Sequence, residues 1–385
     1  DSTGGNNVAI GFRAIEGITT GHSNVGIGVT ALNDNTTGNS NNGVGYGAGS
    51  KLTTGSNNNF FGAYAGENTT TADYNCAFGQ EALEANETGT QNVAIGFRAL
   101  EDNTASYNTA VGTSALLDNT TGSSNTAIGL STLLANTTGA NNTAVGLQAL
   151  TANTTGSHNV AVGYQALDAN QTGSASTCVG YNAGGAFTSD GLTAIGKDAL
   201  ELCTTGVNTA VGANALATVT TGTGNTAVGQ DALTLNTGEV NTAVGAFALD
   251  NNTTGSSNVA IGRAALDSNT TADNNTAVGR QALQANTTGS HNVAVGTYAL
   301  DSNTTGNSNI AVGSNALGAN TTGHRNVAVG LDSLGANTEG IYNTAIGSYA
   351  LDANTTGNYN VGCGMHSLGA NTEGTQNTAI GYGAL

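Results

Sequence analysis

One short pattern of apolar and polar residues recurs along the whole chain. Residues 108–124 read N-T-A-V-G-T-S-A-L-L-D-N-T-T-G-S-S, and residues 125–141 restart as N-T-A-I-G-L-S-T-L-L-A-N-T-T-G-A-N. Copies begin at residues 7, 24, 41, 58, 75, 92, 108, 125, 142, 159, 176, 192, 208, 225, 241, 258, 275, 292, 309, 326, 343, 360 and 377. We number repeat positions from the first residue of each copy. The sequence therefore predicts a single repeat array over residues 1–385, with 22 full repeats from Asn7 and a partial one at 377–385.

Four repeat positions are nearly constant. Position 5 is Gly in all 23 copies, position 4 is always apolar, position 9 is Leu in 19 copies, and position 1 is Asn in 21. Most repeats have 17 residues, and those that begin at residues 92, 176, 192 and 225 have 16. Every shortening falls between position 9 and the next Asn, which is typical of a loop.

Positions 1–5 predict a strand, because they are short, β-branched and bounded by Asn and Gly. Strand residues alternate between two faces. We expect positions 2 and 4 (Thr109 and Val111) to carry the bulk toward the interior, and positions 1, 3 and 5 to form a flat, nearly bare outer face. Positions 6–9 predict a second short strand whose Leu turns back toward position 4, and N-T-T-G predicts a turn.

Only stacking can stabilise such a repeat. Fixing 17 residues of backbone costs roughly 17–34 kcal/mol, whereas burying one Val and one Leu returns about 3–6 kcal/mol. A helix is unfavourable because Gly interrupts every run of helical spacing. We therefore predict an all-β fold, a repetitive parallel β-solenoid or β-roll with one coil per 16–17 residues. The flat Asn/Ala/Gly face favours a homotrimer, with a single-chain solenoid as the alternative.

Composition narrows the class of protein further. The chain has 58 Gly and no Pro among 385 residues, with 8% charged residues and a net charge of −18. The missing Pro excludes collagen, and the low charge density excludes a charged disordered tail. No apolar run is long enough for a membrane span. The negative charge argues against nucleic acid and anionic membranes as partners.

The segments N-V-A-I-G at Asn7–Gly11 and Asn92–Gly96, with N-T-A-V-G at Asn108–Gly112, resemble the head repeats of YadA-like trimeric autotransporter adhesins. Similar repeats occur in tail-fibre-like proteins. The resemblance covers essentially the whole chain and implies a left-handed parallel β-roll with two short strands per coil. It also implies a trimer with small residues near its axis, and attachment or display at a surface. The family's repeat is shorter, so the N-T-T-G loop is an addition here.

Cysteine and histidine do not form a recurring chemical motif. Cys76, Cys178, Cys203 and Cys363 occupy unrelated repeat positions with no C-x-x-C spacing, so we expect small apolar fillers rather than a metal site. His22, His158, His291 and His324 lie in the variable loop, and His366 lies at position 7. We predict no catalytic residue, no cofactor and no metal.

Acidic residues recur just after the Leu of position 9 and would form a stripe in stacked coils. They are Glu101, Asp118, Asp168, Asp250, Asp267, Asp301 and Asp352. A solvated edge is the expected role, with weak calcium binding as the alternative. The most irregular stretch, Gly180–Cys203, holds only Asp190, Asp198 and Glu201, too few for an acid/base pair of a polysaccharide-degrading β-helix.

The Asn and Thr residues of the turn suggest two further hypotheses. N-x-[ST] occurs at thirteen turn positions, which are candidate glycosylation sites, with a plain turn role as the alternative. They are Asn35, Asn68, Asn86, Asn119, Asn136, Asn153, Asn170, Asn252, Asn269, Asn286, Asn303, Asn320 and Asn354. A regular Thr array also raises ice binding, but the paired Thr residues are adjacent in a loop rather than alternating on a strand.

The sequence thus predicts a non-enzymatic extracellular fibre or adhesin segment that provides length, rigidity and surface display. A phage tail-fibre shaft and an ice-binding solenoid are the alternatives. The expected partners are further copies of the chain and a surface glycan or protein receptor, with no nucleic acid and no membrane contact. We expect a cell-surface appendage or virion fibre, and neither end resembles a cap, which favours an excerpt of a longer array.

Overall fold

The computed structural model describes residues 4–385, which fall into two compact units with a boundary after Leu192. These residues are all-β and form no helix. The 23 strands, one per repeat, give a parallel β-solenoid of about 22 turns with a 17-residue period. The predicted fold class is confirmed.

The first unit contains strands β1–β11, each of three residues at repeat positions 2–4, and each pairs in parallel with the next. The bounds are β1 Val8–Ile10, β2 Val25–Ile27, β3 Asn42–Val44, β4 Asn59–Phe61, β5 Cys76–Phe78, β6 Val93–Ile95, β7 Thr109–Val111, β8 Thr126–Ile128, β9 Thr143–Val145, β10 Val160–Val162 and β11 Thr177–Val179. Equal repeat positions pair across every one of these ladders, as Thr126 with Thr143.

The second unit contains strands β12–β23, with the same parallel order and the same register. The bounds are β12 Thr193–Ile195, β13 Thr209–Val211, β14 Thr226–Val228, β15 Thr242–Val244, β16 Val259–Ile261, β17 Thr276–Val278, β18 Val293–Val295, β19 Ile310–Val312, β20 Val327–Val329, β21 Thr344–Ile346, β22 Val361–Cys363 and β23 Thr378–Ile380.

The prediction of which strand face is internal was wrong. Ala at position 3 is fully buried, as at Ala110, whereas the flanking residues Thr109 and Val111 are partly exposed. A Cβ placed on Gly43, at position 3, would lie 2.8 Å from Cγ of Leu32 in the preceding coil. Leu of position 9 therefore packs against position 3, and the small Ala there makes room for it.

The predicted second strand at positions 6–9 is also absent from residues 4–385; turns occupy those positions. Positions 7 and 9 adopt left-handed conformations, with φ of 55° at Ser114 and 53° at Leu116. Gly at position 5 has φ near +136°, as at Gly112, a region that is essentially restricted to glycine. This sharp sequence of turns, rather than a second strand, directs each Leu into the interior.

The missing residue of the shorter coils lies just after position 12. In 17-residue coils Nδ2 of the position-12 Asn donates to a carbonyl three residues later, as from Asn119 to Gly122 at 2.9 Å. In the coil that begins at residue 92, Asn103 donates to Ala105, two residues later, at 2.8 Å. The loop that the sequence predicted to tolerate deletion is thus confirmed and located.

Candidate functional site

The most extensive unusual surface is the outer side of the strands. Positions 2 and 4 point away from the interior in every coil and carry Val, Ile or Thr in most of them. Ile95 and Ile128 are each 40% exposed, and Ile346 is 45% exposed. We call positions 2, 4 and 6 of the coils in each unit the strand face.

Position 6 belongs to this face because the hydrogen-bond ladder continues past the strand. The carbonyls of positions 4 and 6 both accept from the next coil, as Ile10 from Gly28 at 2.8 Å and Phe12 from Thr30 at 2.9 Å. In the first unit position 6 is largely apolar and exposed, at Phe12, Val29, Tyr46, Phe97, Leu130, Leu147, Tyr164 and Tyr181. In the second unit it includes Lys197, Arg263 and Arg280.

Aromatic side chains stack along the ladders. On the strand face of the first unit, the rings of Phe61 and Phe78 are stacked 4.5 Å apart, and those of Tyr164 and Tyr181 are stacked 5.2 Å apart. In the second unit Tyr342 stacks on Tyr359 at 5.1 Å. Repeating the same residue type at one repeat position places like rings at contact distance, so these rings are ordered by neighbouring coils.

Two ladders of buried Asn side chains line the interior, whereas the sequence predicted a flat outer face for the Asn of position 1 and a turn for the Asn of position 12. At position 1, Oδ1 of Asn125 accepts from the backbone N–H of Asn142 at 2.9 Å. At position 12, Nδ2 of Asn136 donates to Oδ1 of Asn119 at 2.6 Å and to the carbonyl of Gly139 at 3.0 Å. The near-constant Asn at position 1 was the available signal, because a buried amide can satisfy backbone groups on two coils.

Twelve of the thirteen candidate glycosylation sites lie on the position-12 ladder and are at most 1% exposed; they are Asn35, Asn86, Asn119, Asn136, Asn153, Asn170, Asn252, Asn269, Asn286, Asn303, Asn320 and Asn354. Their Nδ2 atoms, where a glycan would be attached, face the interior, so attachment is incompatible with this packing. Asn68 lies one position earlier and is half-buried, with Oδ1 contacting the Lys51 ammonium.

The paired Thr residues of the turn have different roles. The position-13 hydroxyl donates to the carbonyl of the same position in the next coil, as Thr137 to Thr154 at 3.0 Å. The position-14 side chain is exposed, as at Thr138. The turn Thr residues therefore do not form one flat array. A second set of Thr residues, partly exposed as at Thr109 and Thr126, stands at position 2 on the strand face.

Carboxylates gather around coils 58–107 of the first unit. Glu81, Glu84 and Glu101 each place an oxygen within 4.8 Å of the others, a donor set suited to a hard cation. Sequence reasoning named Glu101 but missed Arg98, whose guanidinium donates to Glu101 at 2.9 Å and lies 3.7 Å from Glu81. The arginine is therefore the positive charge that this cluster holds.

Partial burial raises the pKa of several carboxyls that follow position 9. It is the main cause at Glu84, where nearby Glu67 and Glu101 raise the pKa further. Burial likewise raises the pKa of the predicted stripe members Asp118, Asp168, Asp250, Asp267 and Asp301. Most stripe residues lie at position 10, and Asp118 lies at position 11.

The cysteines and histidines stay dispersed among the described coils. Cys178 and Cys203 are buried, whereas Cys76 and Cys363 are half-buried on the strand face. Burial raises the pKa of the Cys76 thiol. His324 and His366 contact aromatic rings, those of Tyr342 and Tyr349.

The irregular stretch uses its acids in local contacts. Asp190 accepts from the backbone N–H of Ser174 at 2.6 Å, and Asp198 pairs with Lys197 at 2.9 Å. Residues 4–385 enclose no detected pocket, and within that range no helix exists that could span a bilayer.

Comparison with known proteins gave no relationship: no protein-family model matches the chain, and no curated protein is significantly similar to it.

Proposed function

We propose that this chain is a non-enzymatic structural segment of an extracellular fibre or adhesin, which provides reach and stiffness and assembles with further copies of itself. The observation that carries the proposal is the repeated parallel ladder, in which equal repeat positions pair from coil to coil. Such an array scales in length with the number of coils and needs no single special site.

The interior supports a mechanical role. Each regular coil buries Leu and Ala together with two hydrogen-bonded Asn side chains, as at Leu133, Asn125 and Asn136. Because these bonds run between coils, local opening must break contacts on both sides. The scarcity of Lys and Arg, seven in 385 residues, also leaves few cleavage sites for proteases of trypsin specificity. A cell appendage and a virion fibre make the same use of these properties.

An in-register deletion tests the proposal. Removing residues 275–359 takes out five 17-residue coils and joins residue 274 to Asn360, which restores the repeat phase. We expect the distance between the two ends of the chain to shorten by about 24 Å, at roughly 4.8 Å per coil. An antibody label at each end, located by averaged electron microscopy on the native cell or particle, measures this end-to-end distance.

A deletion of residues 275–334, which breaks the phase, is the matched control and should unfold the flanking coils. The proposal fails if antibody labels the inside of the cell, or if the in-register deletion leaves the reach unchanged.

A further inference from the structure

The strand face of the first unit is as large as the largest apolar patches that monomers ordinarily expose, and its position-4 column is apolar in all eleven coils. Its eleven strands span about 48 Å at roughly 4.8 Å per step, and positions 2–6 span about 13 Å, so the footprint is about 600 Å². Exposed apolar patches on monomers rarely exceed about 300–600 Å². Two such footprints facing each other total about 1,200 Å², the lower end of the roughly 1,200–2,000 Å² that specific complexes bury.

Charge selects the partner. Positions 2, 4 and 6 contain no Asp or Glu in any of the 23 copies, although the chain has 25 acids and a net charge of −18. Two copies that meet on this face keep their acidic residues apart, whereas other approaches bring like charges together. A basic partner would be attracted to the acidic residues outside this face rather than to the face itself.

Shape favours the same partner. The side chains stand in straight columns, and the stacked pairs Phe61–Phe78 and Tyr164–Tyr181 are already ordered by neighbouring coils. A second sheet with the same spacing between columns can interdigitate over its whole length at a separation of about 10 Å. Pre-ordered aromatic rings also lose little conformational entropy on docking.

We propose that the strand face of the first unit is the surface on which a second copy of this chain docks. The inference rests on the self-association in the proposed function and identifies its surface. It also replaces the Asn/Ala/Gly face expected from the sequence, because that face lines the coil interior.

Paired charge substitutions test the face. Ile128→Glu with Val145→Glu places two carboxylates in the position-4 column, and Thr138→Glu with Thr155→Glu adds the same charge to exposed turn positions of the same two coils. In the full chain we expect wild type and the Thr pair to sediment as a multiple of the chain mass. The Ile128/Val145 pair should weaken association about 100-fold or more.

Cys76, at position 2 of the same face, provides a second measurement that needs no strand substitution. In wild type its rate of maleimide labelling should rise on dilution, as the covering copy dissociates. Circular dichroism of the variants checks that their coils remain folded.

Three results would overturn the inference. One is a wild type that stays monomeric throughout the micromolar range. A monomer that also slows ice growth would assign this face to ice instead of to a second copy. The second is equal weakening by both variant pairs. The third is an Ile128/Val145 variant that stays folded and fully assembled; self-association would then stand with the proposed function, but on another surface.

Discussion

Two regions of the first unit build the same coil from different interior residues: the regular coils, residues 108–175, and the aromatic region, residues 41–74. The regular coils have Ala at position 3, Leu at position 9 and Asn at position 12. In coils 41–74, Gly49 and Gly66 stand at position 9, and Phe60 stands at position 3. A Cβ on Gly49 would lie 2.7 Å from the Phe60 ring, and one on Gly66 would lie 2.4 Å from it. One aromatic ring therefore occupies the space of two missing Leu side chains.

This comparison distinguishes the backbone geometry that the fold requires from the side chains that only fill interior volume. Interior volume is maintained although residue identity changes, as expected for close-packed cores. The strand and its turn are the same in both regions, with Gly at position 5 at φ of +143° in Gly62 and +133° in Gly146. Backbone geometry is therefore the stricter constraint.

The largest effect should come from Ala at position 5, and it should be equal in both regions. The new Cβ would lie 2.3 Å from the Gly79 carbonyl oxygen in Gly62→Ala, and 2.4 Å from that of Gly163 in Gly146→Ala. Strain and overpacking, at about 1–3 kcal/mol each, together predict a loss of up to about 6 kcal/mol in local stability. Hydrogen exchange of the adjacent coils measures it, with Thr138→Ala as the control. A tolerated Gly62→Ala would show that the aromatic region has a looser backbone.

Removing the aromatic filler should have the next largest effect. Phe60→Ala empties a fully buried site and should cost about 3–5 kcal/mol. Gly66→Leu alone should also destabilise, because Leu would collide with the ring. The double variant should recover most of the loss, since φ of +59° at Gly66 is close to the +53° at Leu116.

Unfolding in urea, followed by hydrogen exchange around strands β3–β5, gives the coupling free energy of this double-mutant cycle. If the two substitutions are simply additive, the two regions do not share a common interior volume.

The sequence predicted the repeat, its strand, the interior Leu and the loop that accepts deletion, because these depend on period and turn chemistry. It could not decide which strand face is internal, since alternation defines two faces without orienting them. Hydrophobicity favoured Val111 over Ala110, but the left-handed Leu116 brings its side chain onto the Ala side. The partnership of Arg98 with Glu81 depends on neighbouring coils and has no local signal.

At position 12 the regular coils have the Asn ladder, whereas the two coils of the aromatic region have Leu52 and Thr69. Asn136→Leu leaves Oδ1 of Asn119 without its partner, which now lies 2.6 Å away, and removes the 2.7 Å bond from Nδ2 of Asn153, which keeps its bond to the Gly156 carbonyl. One unpaired buried amide oxygen and one lost amide bond predict a loss of about 1–3 kcal/mol. Leu52→Met, an apolar exchange that should cost under about 1.5 kcal/mol, is the control. Thermal unfolding of both variants measures the difference between their losses of stability. Equal losses would mean that the ladder is only a filler.

The smallest expected effect is a pH dependence at position 10, where the regular coil 159–175 has Asp168 and the coil 41–57 of the aromatic region has Ser50. Burial raises the pKa of Asp168, although backbone N–H groups partly oppose this. The folded state therefore binds this proton more tightly than the unfolded state. Its contribution is complete below the unfolded pKa of about 3.9 and is lost as pH rises through the folded pKa. Acidification from neutral pH toward that value should thus raise stability.

Asp168→Asn should remove part of this rise, by less than about 1 kcal/mol because the carboxyl remains partly in water. Melting temperatures between neutral and mildly acidic pH measure it for wild type and variant. Glu87→Gln, at an exposed turn position, controls for the general relief of self-repulsion at a net charge of −18. If Asp168→Asn and Glu87→Gln reduce the pH dependence of the melting temperature equally, total charge causes that dependence. The two regions would then differ only in their interior residues.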